Sequence, residues 1–174
     1  MNLTGTITHQ SEALPSVSFV VRRLNYIARS ERDLSMLEDR ARLTAILRRM
    51  EAICDGGKIE RDDDGRVVNI TAGREHEFRP LDNEYAMIHQ TRIVPAYIRA
   101  GLLSVEGLEI EGAPATVESV LKHAPDALLD EVFAACYAAS DLSEAQRKNS
   151  LSPGSSDAPE AGQPTPTTAA SVKP

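Results

Sequence analysis

The sequence predicts an α+β fold that is mainly α, with about four helices and a small β component made of an N-terminal strand and a hairpin. Three observations support this class: apolar stripes at helical spacing, one short run with strand alternation, and a turn pair inside a charged segment. The chain has 174 residues, of which 41% are hydrophobic and only 4% aromatic. It is long enough for one domain with a real core, which we expect to consist mostly of Leu, Ile, Val and Ala.

Composition divides the chain into three parts. Residues 1–13 are small and polar, and we expect a flexible N-terminus there unless they pair with another segment. Residues 14–150 form the predicted single globular domain. Residues 151–174 are rich in Pro, Ser, Thr and Ala, with almost nothing to bury, and we expect a disordered tail.

The first strand is predicted within residues 14–26. Val17, Phe19 and Val21 recur at every second position, with a β-branched bias that is typical of strands. The doubled arginine Arg22–Arg23 marks the point where this strand should meet solvent.

Residues 30–54 give the clearest helix prediction, with Ser30 and Asp33 as an approximate capping box and two glycines after the last turn. Its main apolar stripe comprises Leu43, Ile46, Leu47, Met50 and Ile53. A second stripe comprises Leu34, Leu37 and Ala41, so we expect this helix to be buried on a wide face.

The middle of the chain is predicted as a hairpin, a loop and a broken helix. Residues 58–72 carry the turn pair Asp64–Gly65, which favours a hairpin. Residues 73–80 are predicted to form a polar loop. A helix is then expected from Asp82 or Asn83 to Leu102, with a kink or a break near 91–94, because Pro95 removes one backbone hydrogen bond.

Residues 104–150 contain the most closely spaced sequence signals for strands, turns and helix caps. A strand is expected over 105–110, interrupted by Gly107 and closed by a turn at Gly112. Thr116 should cap a short helix, and Pro125 should open the next one. The second helix carries an apolar stripe of Leu129, Val132, Phe133 and Cys136. Ser143 with Gln146 predicts a capping box for a last short helix.

The chain carries no recognisable catalytic motif: it has no nucleophile elbow, no phosphate-binding loop and no dinucleotide fingerprint. The acidic run ending at Asp64–Gly65 resembles a calcium loop, but Thr71 stands where such a loop needs a bidentate Glu. An acidic hairpin turn is therefore the favoured interpretation. No histidine is spaced for zinc. We expect a protein that is not an enzyme, with no cofactor and no metal.

Cysteine usage and the N-terminus favour a cytoplasmic location. Cys54 and Cys136 are far apart and lack a C-x-x-C pattern, which is typical of reduced thiols. The N-terminus lacks the basic and apolar regions of a signal peptide. No apolar run reaches the length of a membrane helix, so we expect no membrane association.

Charge is unevenly distributed along the chain, which has a net charge of −7. Residues 14–50 hold eight arginines against four acidic residues. The eight arginines are Arg22, Arg23, Arg29, Arg32, Arg40, Arg42, Arg48 and Arg49. Such a region could bind nucleic acid, but the acidic balance and the scarcity of aromatic side chains for base stacking favour contacts with acidic protein surfaces.

Several segments of the chain carry a family resemblance. The segments VEGLEIEGAPAT, APDALLDEVFAA and LSEAQRKNS lie within 105–150, and VSFVVRRLNYIARSERDL spans 17–34. Together they resemble tail assembly chaperones encoded in tailed-phage and prophage tail clusters, over about 17–150. The hairpin region 56–78 and Pro95 match no pattern of that family.

The resemblance implies a non-enzymatic chaperone whose polypeptide client is the tape measure protein, kept soluble until tail-tube subunits assemble around it. Apolar helix stripes would shield the client's helices. The expected partner-binding residues are Leu43, Leu47, Met50, Leu129, Val132 and Phe133. Self-association is a further candidate interaction. Two alternatives stay open: a small nucleic-acid-binding regulator that uses the Arg22–Arg49 region, and a structural component of the virion tail or head.

Overall fold

A computed structural model describes residues 5–140 as a mainly helical α+β fold, which confirms the predicted class. The elements are, in chain order, β1 (Thr6–Gln10), β2 (Ser18–Arg22), α1 (Tyr26–Ser35), α2 (Leu37–Glu51), α3 (Glu75–Ile88), α4 (Val94–Gly101), β3 (Leu102–Glu106), β4 (Glu109–Ile110), β5 (Ala113–Pro114), α5 (Val117–His123) and α6 (Asp126–Ser140). A 3₁₀ turn covers Asp55–Gly57, and a π-helical turn covers His89–Ile93. The helices outnumber the expected four or so because two predicted helices are each divided.

The three-stranded sheet has the order β1-β2-β3, with both pairs antiparallel. The predicted alternation in β2 is confirmed, because Val17, Phe19 and Val21 are all buried. Phe19 lies opposite His9 of β1 and opposite Val105 of β3. The side chains of one sheet face therefore supply part of the core.

The N-terminus is ordered over Thr6–Gln10, which is the exception that the sequence prediction allowed, since these residues pair with another segment. These residues form strand β1 because their backbone groups pair with β2 along its whole length. Ile7 also packs against the core. A polar segment gained an ordered structure through ladder hydrogen bonds that its composition does not reveal.

Helix α6 packs against β2 and against α4, and forms the centre of the core. A Cβ atom at Gly101 of α4 would lie 2.9 Å from the Sγ atom of Cys136 in α6. This glycine therefore permits a close approach of the two helices. Helix α2 packs against α3, and α1 packs against α4.

The helix predicted over 30–54 is divided at Met36, which has φ −106° and ψ 5°. The first part, α1, starts earlier than expected, because Asn25 rather than Ser30 caps it: the Asn25 Oδ1 atom accepts from the Ala28 N–H group at 2.8 Å. Burial of the Met36 side chain holds the chain at this break.

The polar loop predicted for 73–80 was wrong, since α3 begins at Glu75 and contains Pro80. The buried side chains of Phe78 and Leu81 lie within this helix. Their burial outweighs the backbone hydrogen bond that Pro80 cannot make. A kink or a break was predicted near 91–94. The structure has an irregular turn there, the π-helical turn His89–Ile93, but the chain does not leave the helical conformation, since Ile88, Ile93 and Val94 all have helical φ and ψ angles.

The hairpin predicted for 58–72 is present only as a turn with isolated bridges. Cys54 pairs with Ile70, and Arg61 pairs with Val67. The Gly65 N–H group donates to the Asp62 carbonyl at 2.9 Å, with φ 77° at Gly65. The acidic run therefore turns the chain as expected, without forming a regular strand pair.

The strand predicted over 105–110 is divided at Gly107 into β3 and β4. Gly107 has φ 77°, and a Cβ atom there would lie 2.1 Å from the Ser16 carbonyl oxygen. The Thr116 cap is confirmed: its hydroxyl accepts from the Ser119 N–H group at 3.2 Å. Pro125 immediately precedes α6, and its carbonyl accepts from the Leu129 N–H group at 3.1 Å.

Two sequence predictions, the Ser143–Gln146 capping box and the tail 151–174, lie outside the described residues. Cys54 and Cys136 are free and buried. Burial raises the pKa of the Cys136 thiol to about 12. Among the helices that the structure describes, none is both long and apolar enough to cross a membrane.

Candidate protein-interaction surface

Half of the predicted partner-binding residues are core residues. Leu43, Met50 and Val132 are buried within the hydrophobic core, so the prediction that they contact a partner was wrong. Their stripes face α3, α4 and the sheet, which bury them inside the same chain. Periodic apolar residues on a helix are most often core residues for this reason.

The other three predicted residues, Leu47, Leu129 and Phe133, are half-buried. Leu129 and Phe133 pack against the core, whereas Leu47 is not part of that packing. The Phe133 ring makes edge contacts at 5.6 Å with the rings of His89 and Tyr97. These contacts fix Phe133 inside an aromatic cluster and leave only part of its surface to a partner.

The largest exposed apolar side chains lie instead on α1 and at the start of α2. They are Tyr26 (80% exposed), Ile27 (66%), Leu34 (70%) and Leu37 (62%). We call these four residues the α1 apolar face. The remaining large exposed apolar residues of 5–140 belong to separate elements, namely Val68, Met87, Leu103 and Tyr137. Single exposed apolar residues are ordinary, whereas three on one helix, with a fourth at the start of the next helix, indicate an interaction surface.

Helix α1 is oriented with its apolar side outward. Ile27 and Leu34 are seven residues apart and therefore share one side of the helix. Arg29 and Arg32 lie on the opposite side, and Arg32 is the one buried residue of this helix. A surface helix normally shows the reverse arrangement, with apolar residues inward and charges outward.

The inward position of Arg32 is held by an aromatic ring and a carboxylate. Its guanidinium carbon lies 4.1 Å from the centroid of the Tyr97 ring, a cation–π contact with α4. It donates two hydrogen bonds to Asp33 Oδ1, at 3.0 and 2.8 Å. Arg40 of α2 donates to the Tyr97 hydroxyl at 2.8 Å and lies 3.2 Å from the same Asp33 oxygen. These contacts attach α1 to α4 through charge.

Arg29 attaches α1 to the end of α6. Its Nη1 atom donates to the Ser140 carbonyl at 3.4 Å, in the last described turn of α6. Within residues 5–140, the buried Arg29 Nε and Arg32 Nη1 atoms have no hydrogen-bond partner. Helix α1 is therefore anchored by polar contacts and contributes little apolar burial to the core.

Charges of both signs border the α1 apolar face. Arg23 precedes α1, Glu31 lies in its middle, and Glu38 lies in the first turn of α2; all three are exposed. In the described range 5–140, none of the three forms an ion pair. These charges are available to a partner's surface.

An open depression of about 470 Å³ lies between α2 and α3. It is lined mainly by apolar atoms, and Arg74 at its edge makes two hydrogen bonds to Glu77, at 3.0 and 2.8 Å. This hydrogen bonding holds the pKa of the Glu77 carboxyl below its usual range. Arg74 and Glu77 are therefore paired with each other, whereas Arg49, the third charged residue of the lining, is exposed. Within residues 5–140, no group of three His, Cys, Asp or Glu side chains is placed to hold a metal ion.

The sequence predictions missed Tyr26 and Ile27 and placed Leu34 and Leu37 on a buried face. One signal was available: Arg29 and Arg32 share one side of a helix, and Ile27 and Leu34 share the other. The orientation itself depends on the Tyr97 ring, which lies far away in the sequence.

No protein-family model, curated protein or solved structure matches this chain. The α1 apolar face is therefore interpreted from its geometry.

Proposed function

We propose that this protein is a non-enzymatic chaperone that binds a polypeptide client through the α1 apolar face, and that the client is the tape measure protein of a phage tail. The observation that supports client binding is the outward orientation of Ile27 and Leu34 on a helix whose inward side is anchored by arginine. The identity of the client rests on the family resemblance of the sequence. The chaperone would act in the host cytoplasm, before tail-tube subunits enclose the client.

The α1 apolar face suits an amphipathic helix of a client. Its side chains span more than two helical turns. This length matches the spacing of the anchor residues in helix-in-groove recognition. Full burial of one such side chain stabilises a complex by about 1.5–3 kcal/mol, before the entropy of association is subtracted. One copy should therefore bind weakly, and several copies along one long client should bind with higher avidity.

The charge of the chain supports a solubilising role. A net charge of −7 opposes self-association of complexes that would otherwise expose apolar client surface. The apolar residues of α1 supply the contact, and the acidic remainder of the protein keeps the complex in solution.

The nucleic-acid alternative has less support from the arginines. Arg32 and Arg29 point into the protein, and Arg42 pairs with Glu84. Arg22 donates to the Ala100 carbonyl at 2.7 Å. Arg23, Arg48 and Arg49 are left exposed; Arg23 precedes α1, whereas Arg48 and Arg49 lie in the last turn of α2. Only part of the arginine-rich region is therefore available to a phosphate backbone.

Co-expression with the tape measure protein of the same tail gene cluster tests this proposal. We expect the wild-type chain to raise the soluble fraction of the client, and Ile27→Asp with Leu34→Asp to abolish the increase. Val68→Asp is the matched control, because it places the same charge at an exposed apolar residue outside α1. Equal loss in both variants, or no effect of the wild-type chain, would reject the proposal.

Two further outcomes would assign another function. Sub-micromolar binding of RNA or duplex DNA that weakens steeply with salt and is abolished by Arg22→Ala with Arg23→Ala would indicate a nucleic-acid-binding regulator. A stoichiometric band in purified virions would indicate a structural component. Client binding through the apolar face should change only modestly with salt, because apolar contacts release few counterions.

A further inference from the structure

The exposed side of α1 contains four residues that together form a shallow hole. Ile27, Ser30, Glu31 and Leu34 occupy positions i, i+3, i+4 and i+7 of one helix, so they are neighbours on one face. Ile27 and Leu34 are strongly exposed, and Glu31 is exposed between them. Four residues at this spacing form the kind of hole into which a side chain of a facing helix packs. This face is therefore suited to a helical partner.

Glu31 supplies the charge of this hole, and it forms no ion pair within residues 5–140. A surface glutamate is stabilised when Lys or Arg lies three or four residues away on the same helix. The residues at these distances from Glu31 are Ile27, Ala28, Leu34 and Ser35, and none of them is basic. The Glu31 carboxylate is therefore available to a partner.

The arginines of α1 do not compensate this charge, because both are turned toward the protein. Arg32 stacks on the Tyr97 ring at 4.1 Å, and Arg29 donates to the Ser140 carbonyl at 3.4 Å. Arg23 is exposed but lies outside α1. A second α1 helix would bring another glutamate and no cation to this contact, so a second copy of the chain is a disfavoured occupant.

We infer that the α1 apolar face binds a basic amphipathic helix, in which Lys or Arg residues lie beside the apolar stripe. An apolar side chain of such a helix packs between Ile27 and Leu34, and a Lys or Arg one turn away pairs with Glu31. The methylene groups of that Lys or Arg cover exposed apolar atoms as well. An acidic helix would bring like charges together, which costs affinity. The inference rests on the proposed function where the client is concerned, because it specifies which client helices are bound.

The contact is small, so charge selects the partner without supplying most of the affinity. Helix α1 has ten residues and is about 15 Å long at 1.5 Å per residue. A stable specific interface buries about 800 Å² per partner, which is more than one short helix face provides. Because an exposed ion pair adds little affinity, we expect a preference for basic over acidic helices of about three- to tenfold.

Two synthetic peptides test this preference with the full chain. Both have about 21 residues and the same leucine stripe, and they differ only in carrying Lys or Glu beside it. Circular dichroism checks that the two are equally helical, and fluorescence anisotropy measures their dissociation constants. We expect the lysine peptide to bind the wild type about three to ten times more tightly. Equal binding of the two peptides, or binding of neither, would overturn the inference.

Charge reversal at Glu31 tests whether this residue sets the preference. Glu31→Lys should make the glutamate peptide the tighter ligand, whereas Ile27→Ser with Leu34→Ser should weaken both peptides by about tenfold or more. Glu109→Lys is the matched control, because it changes the net charge equally at an exposed glutamate of β4 that forms no ion pair within residues 5–140.

Net charge is the competing explanation for a lysine preference, since the whole chain carries −7. A preference that survives Glu31→Lys, or that Glu109→Lys removes equally, would assign the selection to net charge and overturn the inference. Glu31 and Glu109 are exposed, so circular dichroism of both variants should show an unchanged fold.

Sedimentation equilibrium of the chain without peptide tests the second copy as the occupant. We expect a monomer throughout the concentration range in which the lysine peptide binds. Self-association that Leu34→Ser abolishes would show that a second copy covers the face, and it would overturn the inference.

Co-expression with the tape measure protein of the same tail gene cluster separates this inference from the proposed function. The wild type should raise the soluble fraction of the client, and Glu31→Lys should raise it less. Equal solubilisation by both would overturn the inference and leave the proposed function standing. Selective binding of the lysine peptide through Glu31, without any effect on the client, would contradict the proposed function and leave the inference standing.

Discussion

Helices α1 and α6 are both amphipathic, but they are oriented in opposite ways. Helix α6 buries Leu128, Val132 and Cys136 against the sheet and α4. Helix α1 buries Arg32 and exposes Ile27 and Leu34. The comparison teaches that an apolar stripe in the sequence reveals a surface that will be covered, but not whether the cover comes from the same chain.

The surroundings of the two helices explain the difference. Helix α6 lies between a β-sheet face and α4, so its apolar side can be enclosed from two directions. Helix α1 meets α4 at the Tyr97 ring, where a guanidinium can stack and donate at the same time. An arginine suits this inward position because its planar group combines cation–π stacking with hydrogen bonding.

The largest contrast is expected from truncating one leucine in each helix. Leu128→Ala should reduce the free energy of unfolding by about 2–5 kcal/mol, because this fully buried side chain leaves a cavity. Leu34→Ala should change it by less than about 0.5 kcal/mol, as expected for an exposed position. Urea unfolding measures both values. Equal losses would show that the outward face of α1 is covered within the monomer.

Gly101→Ala tests how tightly α4 and α6 approach each other. In an exposed helix interior this change would stabilise by up to about 1 kcal/mol. Here the added Cβ atom would lie 2.9 Å from Cys136 Sγ and 3.0 Å from its Cβ. We expect a loss of about 1–3 kcal/mol from overpacking, measured by thermal or urea unfolding. A more stable variant would mean that the two helices can separate at no cost.

Arg32→Met tests whether charge anchors α1. Methionine keeps much of the side-chain length but removes the cation–π contact with Tyr97 and the hydrogen bonds to Asp33. We expect faster amide hydrogen exchange throughout α1, by about tenfold, with unchanged protection in α6. Equal increases in both helices would indicate that Arg32 supports the whole core.

The smallest effect is expected at Glu131, which ties α6 to the β1–β2 loop. The Ser11 side chain, with the backbone N–H groups of Ala13 and Glu12, holds the pKa of the Glu131 carboxyl below its usual range. Because the pKa of Glu131 is lower in the folded protein, its ionised carboxylate stabilises the fold at pH values above the unfolded-state pKa of about 4.5. This stabilisation is lost as the pH falls through the folded-state pKa. Glu131→Gln should therefore be slightly less stable than wild type at pH 7, with the difference shrinking below about pH 5. A difference that persists unchanged at pH 3 would contradict this assignment.

The sequence was sufficient for those elements whose signals are local. The alternation around Phe19, the Thr116 cap and the irregular helical turn before Pro95 all depend on neighbouring residues, and the structure contains all three. Strand β1 and the start of α3 were missed, because pairing with β2 and burial of Phe78 are long-range effects.

The candidate surface could not be predicted from the sequence for the same reason, because it also depends on long-range contacts. The stripe containing Leu43 and Met50 was recognised as apolar but assigned to a partner, since the sequence does not show that α3 covers it. The outward orientation of Ile27 and Leu34 follows from a ring at Tyr97, more than sixty residues away from both. Patterns within a helix therefore predicted apolar faces but not which of them stayed open.

Thiol labelling measures the orientation of α1 most directly. The native Cys54 and Cys136 are buried, and burial raises the pKa of both thiols, so they should resist a maleimide at pH 8 in the folded protein. A cysteine introduced by Leu34→Cys should react at least about a hundred times faster at low micromolar protein concentration, because an exposed thiol forms its thiolate readily. That result would confirm the outward apolar face on which the proposed function depends. Labelling of Leu34→Cys as slow as that of the native cysteines would contradict it.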